Sequence, residues 1–404
     1  MPSNSWWSSS SDEEDEMFFA NVVLRAGQIL IEEEEEEEDV SSESVITRRI
    51  RINRDREGAH EKLVNDYFSD EPLYNDEIFR HSFRMSRRLF TRIANDLAGL
   101  DPFFTQRPDA RNYEGFTTLQ KCTAAIRQLA YGTVADALDE YLQMSARTTR
   151  EFVQAHEARH EFPGMLGSID CMHWAWHNCP TAWRGQYTRG DHSHPTLILE
   201  AVASQDLWIW HSFFGLPGSL NDLNVLYQSA IFTDFVNGTG PDTRFTVSGV
   251  EYRRGYYLAD GIYPSWSTIV KTIPYPEEEK RKKFAKRQEA ARKDIERAFG
   301  VLQKKWAVLE QPARAFTPKR LRLCMYACIL LHNMIIEDEG RAICEYDENA
   351  SYGNTVPVDP PQQDLNSFSL TNDFTHANLQ QDLVEHVWNN VNVADGGGDG
   401  DEDE

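Results

Sequence analysis

The sequence predicts an α/β protein with a mixed sheet, preceded by a helical region. Two observations carry that expectation. Short β-prone runs bounded by Gly, Pro and Asn recur at 166–169, 196–203, 207–214 and 255–259, which is the punctuation of strands. Apolar residues at helical spacing dominate from 63 to 162 and again from 276 to 337, so helices flank and interleave the strands. With 404 residues and 40 % hydrophobic content, the chain is long enough for two domains and a core.

Residues 1–60 are Ser-rich and acidic, and 32–38 are seven consecutive glutamates. Such a segment repels itself and buries little, so disorder is expected, as a solubilising tail or an acidic dock for a basic partner. Arg48, Arg49, Arg51, Arg54 and Arg56 follow as a basic arm or charged linker. Residues 61–162 form the expected helical domain. Leu89, Phe90, Ile93 and Leu97 share one helical face with Arg87, Arg88 and Arg92 off it, and Leu119, Ala125, Ile126 and Leu129 repeat the pattern. Residues 133–142 and 146–153 then read as two short helices joined by a tight turn, with Ser145 as N-cap. That pattern is helix-turn-helix-like and offers Arg147 and Arg150 to DNA; a plain helical bundle is the alternative.

Residues 163–340 form the expected α/β domain. A helix is expected at 221–235, a long basic one reaching 309, and another over 319–337. Residues 341–404 begin polar. They continue into one amphipathic helix through Leu379, Leu383, Val387 and Trp388, and end in an acidic, Gly-rich run expected to be disordered.

The formal net charge of -24 is unevenly placed, because residues 61–340 are close to neutral and the acidity lies in the two ends. A nucleic-acid partner is therefore compatible with the composition. Six scattered cysteines lack the density of a disulfide scaffold, which points to a reducing compartment. The N-terminal stretch has no basic leader before an apolar run, and no stretch reaches 18 apolar residues, so neither secretion nor membrane insertion is expected.

Four carboxylates organise the rest. Asp170 closes the run 166–169, Asp222 follows a Pro-Gly-Ser turn, Asp260 ends the run 255–259, and Glu296 sits on the basic helix. A carboxylate at the end of a buried strand is costly unless a cation or hydrogen bonds stabilise its charge. Phosphodiester chemistry with Mg2+ or Mn2+ needs a few oxygen ligands, and paired ions about 3.5–4 Å apart clamp the attacking and leaving oxygens. Asp170, Asp222, Asp260 and Glu296 are accordingly candidate metal ligands, with Asp170, Asp260 and Glu296 as catalytic residues. Their order of strand, loop, strand and helix suits a ribonuclease-H-like sheet. Ile295, Phe299, Leu302 and Trp306 make the core-facing stripe of the Glu296 helix, while Arg292 and Lys293 lie one turn back and Lys282 and Lys283 nearer its start. These cations are the expected phosphate-facing surface.

Zinc is the weaker alternative. His173, His177, His192 and His194 lie near Cys171 and Cys179, but the cysteine spacing does not match compact zinc-ligand pairs. Cys324, Cys328 and His332 share a helical face among Leu323, Ile329, Leu330 and Leu331, which reads as core packing. No phosphate-cradling Walker loop is present.

Seven motifs in order then carry a resemblance. They are Ile-Asp-Cys-Met-His-Trp at 169–174, Trp-Arg-Gly-Gln-Tyr at 183–187, Leu-Glu-Ala-Val-Ala-Ser at 199–204 and Pro-Gly-Ser-Leu-Asn-Asp-Leu-Asn-Val-Leu at 217–226. Leu-Ala-Asp-Gly-Ile-Tyr-Pro at 258–264, Ile-Glu-Arg-Ala-Phe-Gly-Val-Leu at 295–302 and Leu-His-Asn-Met-Ile-Ile-Glu at 331–337 complete the set. Together they resemble PIF/Harbinger-type DDE transposases and their host-captured nuclease relatives. The resemblance implies a ribonuclease-H-like DDE domain that uses Mg2+ or Mn2+ to cleave and join DNA. It matches Asp170 to the first acidic position, Asp260 to the acidic residue after the fourth strand, Glu296 to the final glutamate, and Asp222 to the acidic position of the Pro-Gly-Ser motif. It implies as partners DNA, a separate Myb/SANT-like DNA-binding protein and a second copy of the chain, with no membrane. It also implies a nuclear location that depends on that partner, with a cytoplasmic pool; the basic run 280–287 is a nuclear signal or a DNA-facing surface. The alternative is a domesticated nuclear adaptor that keeps the fold and acts through protein contacts.

Overall fold

In the computed structural model of the protein, residues 56–100, 104–108, 114–131, 162–238, 243–341 and 359–395 are described. The first helices are α1 (Arg56–Leu63), continuing into a π-helical turn, then α2 (Asp76–Phe83), α3 (Arg87–Leu100) and α4 (Thr118–Tyr131). Phe68, Phe79, Phe83 and Phe90 pack ring on ring between them, and the Arg127 guanidinium of α4 lies over the Phe83 ring. Leu89, Phe90, Ile93 and Leu97 are all buried, so the apolar face legible in the sequence is the packed one. The segment 133–153, with its helix-turn-helix pattern and Arg147 and Arg150, lies outside the described residues.

The strands follow. β1 (Met165–Ala175), β2 (Thr196–Ala203) and β3 (Ile209–Pro217) are antiparallel neighbours; β4 (Phe245–Val247) and β5 (Val250–Tyr252) form a separate hairpin; β6 (Tyr256–Ala259) and β7 (Ile269–Lys271) extend the main sheet. The five-stranded order is β3-β2-β1-β6-β7, with β1, β6 and β7 parallel. Every residue of β2 is buried, because helices cover both faces of the sheet and leave no solvent side for polar residues.

Between strands lie α5 (Arg184–Tyr187), α6 (Asp222–Leu226) and α7 (Thr233–Asn237). After the sheet come α8 (Glu279–Lys305), α9 (Pro318–Asp338), α10 (Pro360–Leu370) and α11 (Asp373–Asp395). Ala291, Ile295, Ala298 and Leu302 of α8 are buried, and Ser168 Oγ of β1 donates to the Ala291 carbonyl at 3.1 Å. Helix α9 starts on Pro318 behind the Thr317 N-cap. Its Asn333 pairs both amide atoms with the Ile209 backbone at 3.0 and 2.8 Å, and His332 Nε2 donates to the Leu207 carbonyl at 2.8 Å. The Leu-His-Asn motif thus holds the turn that enters β3.

Four expectations change. β1 runs eleven residues, so Asp170 is mid-strand and not at a strand end. The reason is unequal pairing: β2 pairs with β1 from Ser168 to Ala175, whereas the β6 pairing stops at Ser168↔Leu258. The stretch expected as one helix at 221–235 is two short ones, α6 and α7. The hairpin and β7, three residues per strand, were too short to show a period. The C-terminal region holds two helices where one was expected; α10 is set by Asp359, whose side chain accepts from Gln362 N, with proline next.

Helix α11 buries Leu379, Leu383, Val384 and Val387 in one cluster with Phe284, Phe245 and Tyr252. Lys280 Nζ also pairs with Glu385 at 2.7 Å, but both side chains are more than a third exposed. Removing that pair, as in Lys280→Ala, is expected to cost under about 1 kcal/mol in urea unfolding; a larger loss would mean the pair and not the apolar stripe fastens α11. Among the described residues no helix is long and apolar enough to cross a membrane.

Candidate active site

The sheet gathers the predicted acidic residues around one edge of the parallel pair β1 and β6. Asp170 projects from β1 just beyond its last β6 partner, and Asp260 follows directly on β6. The crevice beyond the carboxyl ends of parallel strands is where α/β folds place ligands. Asp222 opens α6, whose N-cap Asn221 accepts from Asn224 N at 2.9 Å. The loop before it hugs β2, and only glycine fits there: a Cβ at Gly218 would lie 1.9 Å from Thr196 Oγ1. Glu296 is on α8, half-exposed.

Hydrogen bonds fix several of these oxygens. Cys171 N donates to Asp170 Oδ1 at 2.8 Å, and Ile262 N donates to Asp260 Oδ1 at 2.9 Å. Arg292 Nη1 lies 3.3 Å from Asp170 Oδ2 and 3.1 Å from Glu296 Oε1, bridging β1 and α8. Burial pushes the Asp170 carboxyl up to about 6; the Cys171 N–H and Arg292 oppose that rise, while the charges of Asp260 and Asp222 add to it. The Asp222 carboxyl is also raised, first by burial and then by Asp260, with the Cys171 thiol and Arg189 opposing. The charges of Asp222 and Asp260 therefore act on Asp170, and that of Asp260 on Asp222, with Arg292 and Arg189 as the opposing cations.

Glu200 belongs to this field, and the sequence reading did not assign it a role. It is fully buried on β2, opposite Cys171. Its Oε1 is 3.3 Å from His211 Nε2, its Oε2 has no protein partner, and its charge raises Asp222 further. The signal was a single glutamate inside an eight-residue strand otherwise almost wholly apolar. His173 faces His192 at 4.8 Å between ring centres and shares a 2.8 Å hydrogen bond with Thr196 Oγ1. Burial, followed by His192, drives its pKa down to about 4, so the imidazole is neutral at physiological pH.

An all-oxygen donor set, in which burial raises the Asp170 and Asp222 carboxyls, suits a hard divalent cation. Among the described residues, however, no group of three ligating side chains is drawn to metal-holding distance. Asp170, Asp222 and Asp260 are coupled by charge and Glu296 is tied to Asp170 through Arg292, without a preformed cage among the described residues. Cys324 and Cys328 are buried in the core, and His332 is committed to a backbone carbonyl.

The predicted phosphate-facing cations are unevenly engaged. Lys282 Nζ pairs with Glu279 at 2.7 Å, Lys283 lies over the Trp388 ring at 4.6 Å, and Arg292 is taken up by the two carboxylates. Lys293 faces solvent one turn before Glu296.

Comparison with known proteins follows the same residues. The family described as plant transposon protein matches residues 139–343, which include all four carboxylates, and a domain of unknown function (DUF8418) matches 60–98. "Protein ALP1-like" of Arabidopsis thaliana is 24% identical over 297 residues, covering 66% of this chain and 72% of its own. "Putative nuclease HARBI1" of Mus musculus is 24% identical over 228 residues, covering 55% and 58%, and its Homo sapiens counterpart is 24% identical over 214, covering 50% and 57%. The chain thus spans little more than half the length of these two HARBI1 relatives. No solved structure matches.

Proposed function

The chain belongs to the PIF/Harbinger-type plant transposon protein family, and from that premise we propose that it is a divalent-metal-dependent DNA nuclease that cleaves and, as a transposase, joins phosphodiester bonds. The observation that carries this reading is convergence. Asp170, Asp222 and Asp260 come from three separate segments, yet the charges of Asp222 and Asp260 reach Asp170 and that of Asp260 reaches Asp222, and Glu296 stands one guanidinium away from Asp170.

In this reading residues 163–340 are a ribonuclease-H-like catalytic domain. Asp170, Asp260 and Glu296 are its catalytic residues and, with Asp222, hold Mg2+ or Mn2+. When bound, the metal neutralises the phosphate and activates the attacking water or DNA 3′-hydroxyl. Asp170 and Asp222 are ionised only against their burial, so they gain most from a cation. The Ile262 N–H fixes one oxygen of Asp260, and the other is the one we assign to the cation. Lys293 holds the DNA backbone in register beside Glu296. The helical region 61–162 adds DNA contacts through Arg147 and Arg150, with a Myb/SANT-like protein supplying end recognition and nuclear entry, and with a second copy of the chain for the second DNA end. The flanks 1–60 and 341–404 lie outside the chemistry.

The test is nicking of supercoiled plasmid by the purified full chain. Relaxed product is expected with Mn2+ or Mg2+ and none with EDTA or Ca2+. Cutting that persists in EDTA, or a protein that never cuts with either metal, would overturn the reading, and the second result would favour the adaptor.

A further inference from the structure

We propose that Arg292 is a charge latch on the carboxylate site: a divalent cation must displace it, and the displaced guanidinium then takes a DNA phosphate. The inference rests on the nuclease reading above and concerns how that site is loaded.

One nitrogen of Arg292 lies between carboxylates from two elements, 3.3 Å from Asp170 Oδ2 on β1 and 3.1 Å from Glu296 Oε1 on α8. Arg292 and Asp170 are each only 18% exposed, so little solvent screens the contact. These are two of the four oxygen donors that a cation would use. A metal ion on these two carboxylates competes with the guanidinium for their charge, and a cation held beside Arg292 would repel it. The guanidinium therefore does the neutralising work of a cation in this conformation.

Displacement leaves Arg292 with an obvious acceptor. It stands one turn before Glu296 and next to solvent-facing Lys293, at the mouth of the crevice. A planar fork of N–H donors matches a phosphate better than an ammonium does. DNA then stabilises the open latch and the open latch admits the cation, so by linkage each tightens the other. A cation without DNA binds weakly, which limits stray cutting chemistry in the unbound protein.

The test uses full-length protein and two readouts, Mn2+ binding by calorimetry and DNA-duplex binding in Ca2+, compared among wild type, Arg292→Ala, Arg292→Gln and Glu296→Gln. Both Arg292 variants are expected to bind Mn2+ about tenfold more tightly without DNA, and to lose most of the cation-induced tightening of DNA binding. Arg292→Gln keeps part of the aliphatic stem and a polar tip without the charge, and serves if Arg292→Ala unfolds. Unchanged or weaker Mn2+ binding in folded Arg292 variants, while Glu296→Gln still lowers it, overturns the latch alone. Mn2+ binding that is absent in wild type and in both Arg292 variants, or indifferent to Glu296→Gln, overturns the carboxylate site itself.

Discussion

Asp170→Asn is expected to abolish cation-dependent cleavage, by on the order of 10³-fold, and at the same time to stabilise the cation-free protein. The activity loss follows from removing a donor at the centre of the site. The stability gain follows from the proton balance. The folded carboxyl titrates near 6 against an ordinary value of 3.8, chiefly because burial disfavours its charge. Between those values the folded state binds more protons than the unfolded one, so stability is full below about pH 4, falls up to about pH 6, and is level above. The cost at neutral pH is on the order of 3 kcal/mol. An asparagine carries no such cost. Thermal melts in EDTA from pH 4 to 8 should show a downward slope in wild type that is flattened in Asp170→Asn, with the variant melting higher at pH 8. A variant that melts lower at pH 8 would show that the Arg292 pairing outweighs burial.

The second large effect lies away from the chemistry. Asn333→Ala should cost roughly 2–5 kcal/mol in urea unfolding, because it strands two buried backbone groups at once. Asn333 is 2% exposed, and its amide receives the Ile209 N–H and donates to the Ile209 carbonyl, acting as a strand neighbour where β3 has none. Neither backbone group has water to turn to. A loss under 1 kcal/mol would mean that the β2–β3 turn is held by His332 and side-chain packing instead. The comparison with Lys280→Ala separates the two kinds of polar contact, one buried and unreplaceable, the other exposed and screened.

The sequence pointed to candidate carboxylates more readily than to their surroundings. Asp170 and Asp260 stand out because each ends an apolar run, Asp222 because it follows a turn, and Glu296 through its place on the basic helix and in the motif at 295–302. The stripe Ile295, Phe299, Leu302 and Trp306 fixed the face of α8, and all four are buried. What the pattern lacked was information on pairing. Nothing in Cys171, Met172 or His173 says that β2 continues along β1 after β6 has stopped, yet that inequality puts Asp170 at the crevice. Arg292 was read as a DNA contact from its place in a basic helix, and its bridge to Asp170 is a contact across 122 residues that spacing along α8 cannot reveal. Glu200 was hidden for a related reason: its polarity was visible, but its neighbours come from another strand. Helix α10 escaped because Leu365 and Phe368 are exposed, so it has no apolar stripe facing inward.

The rings of α2 and α3 and the sheet-facing side chains of α8 and α9 belong to one uninterrupted apolar cluster, running from Phe79 and Phe90 to Trp176, Leu302 and Leu331. Anyone expressing the α/β half from residue 163 onward would therefore cut through oil and not along a seam. Such a fragment would carry a raw greasy wall into water and should precipitate, so biochemical work on this protein has to begin upstream of the first helix.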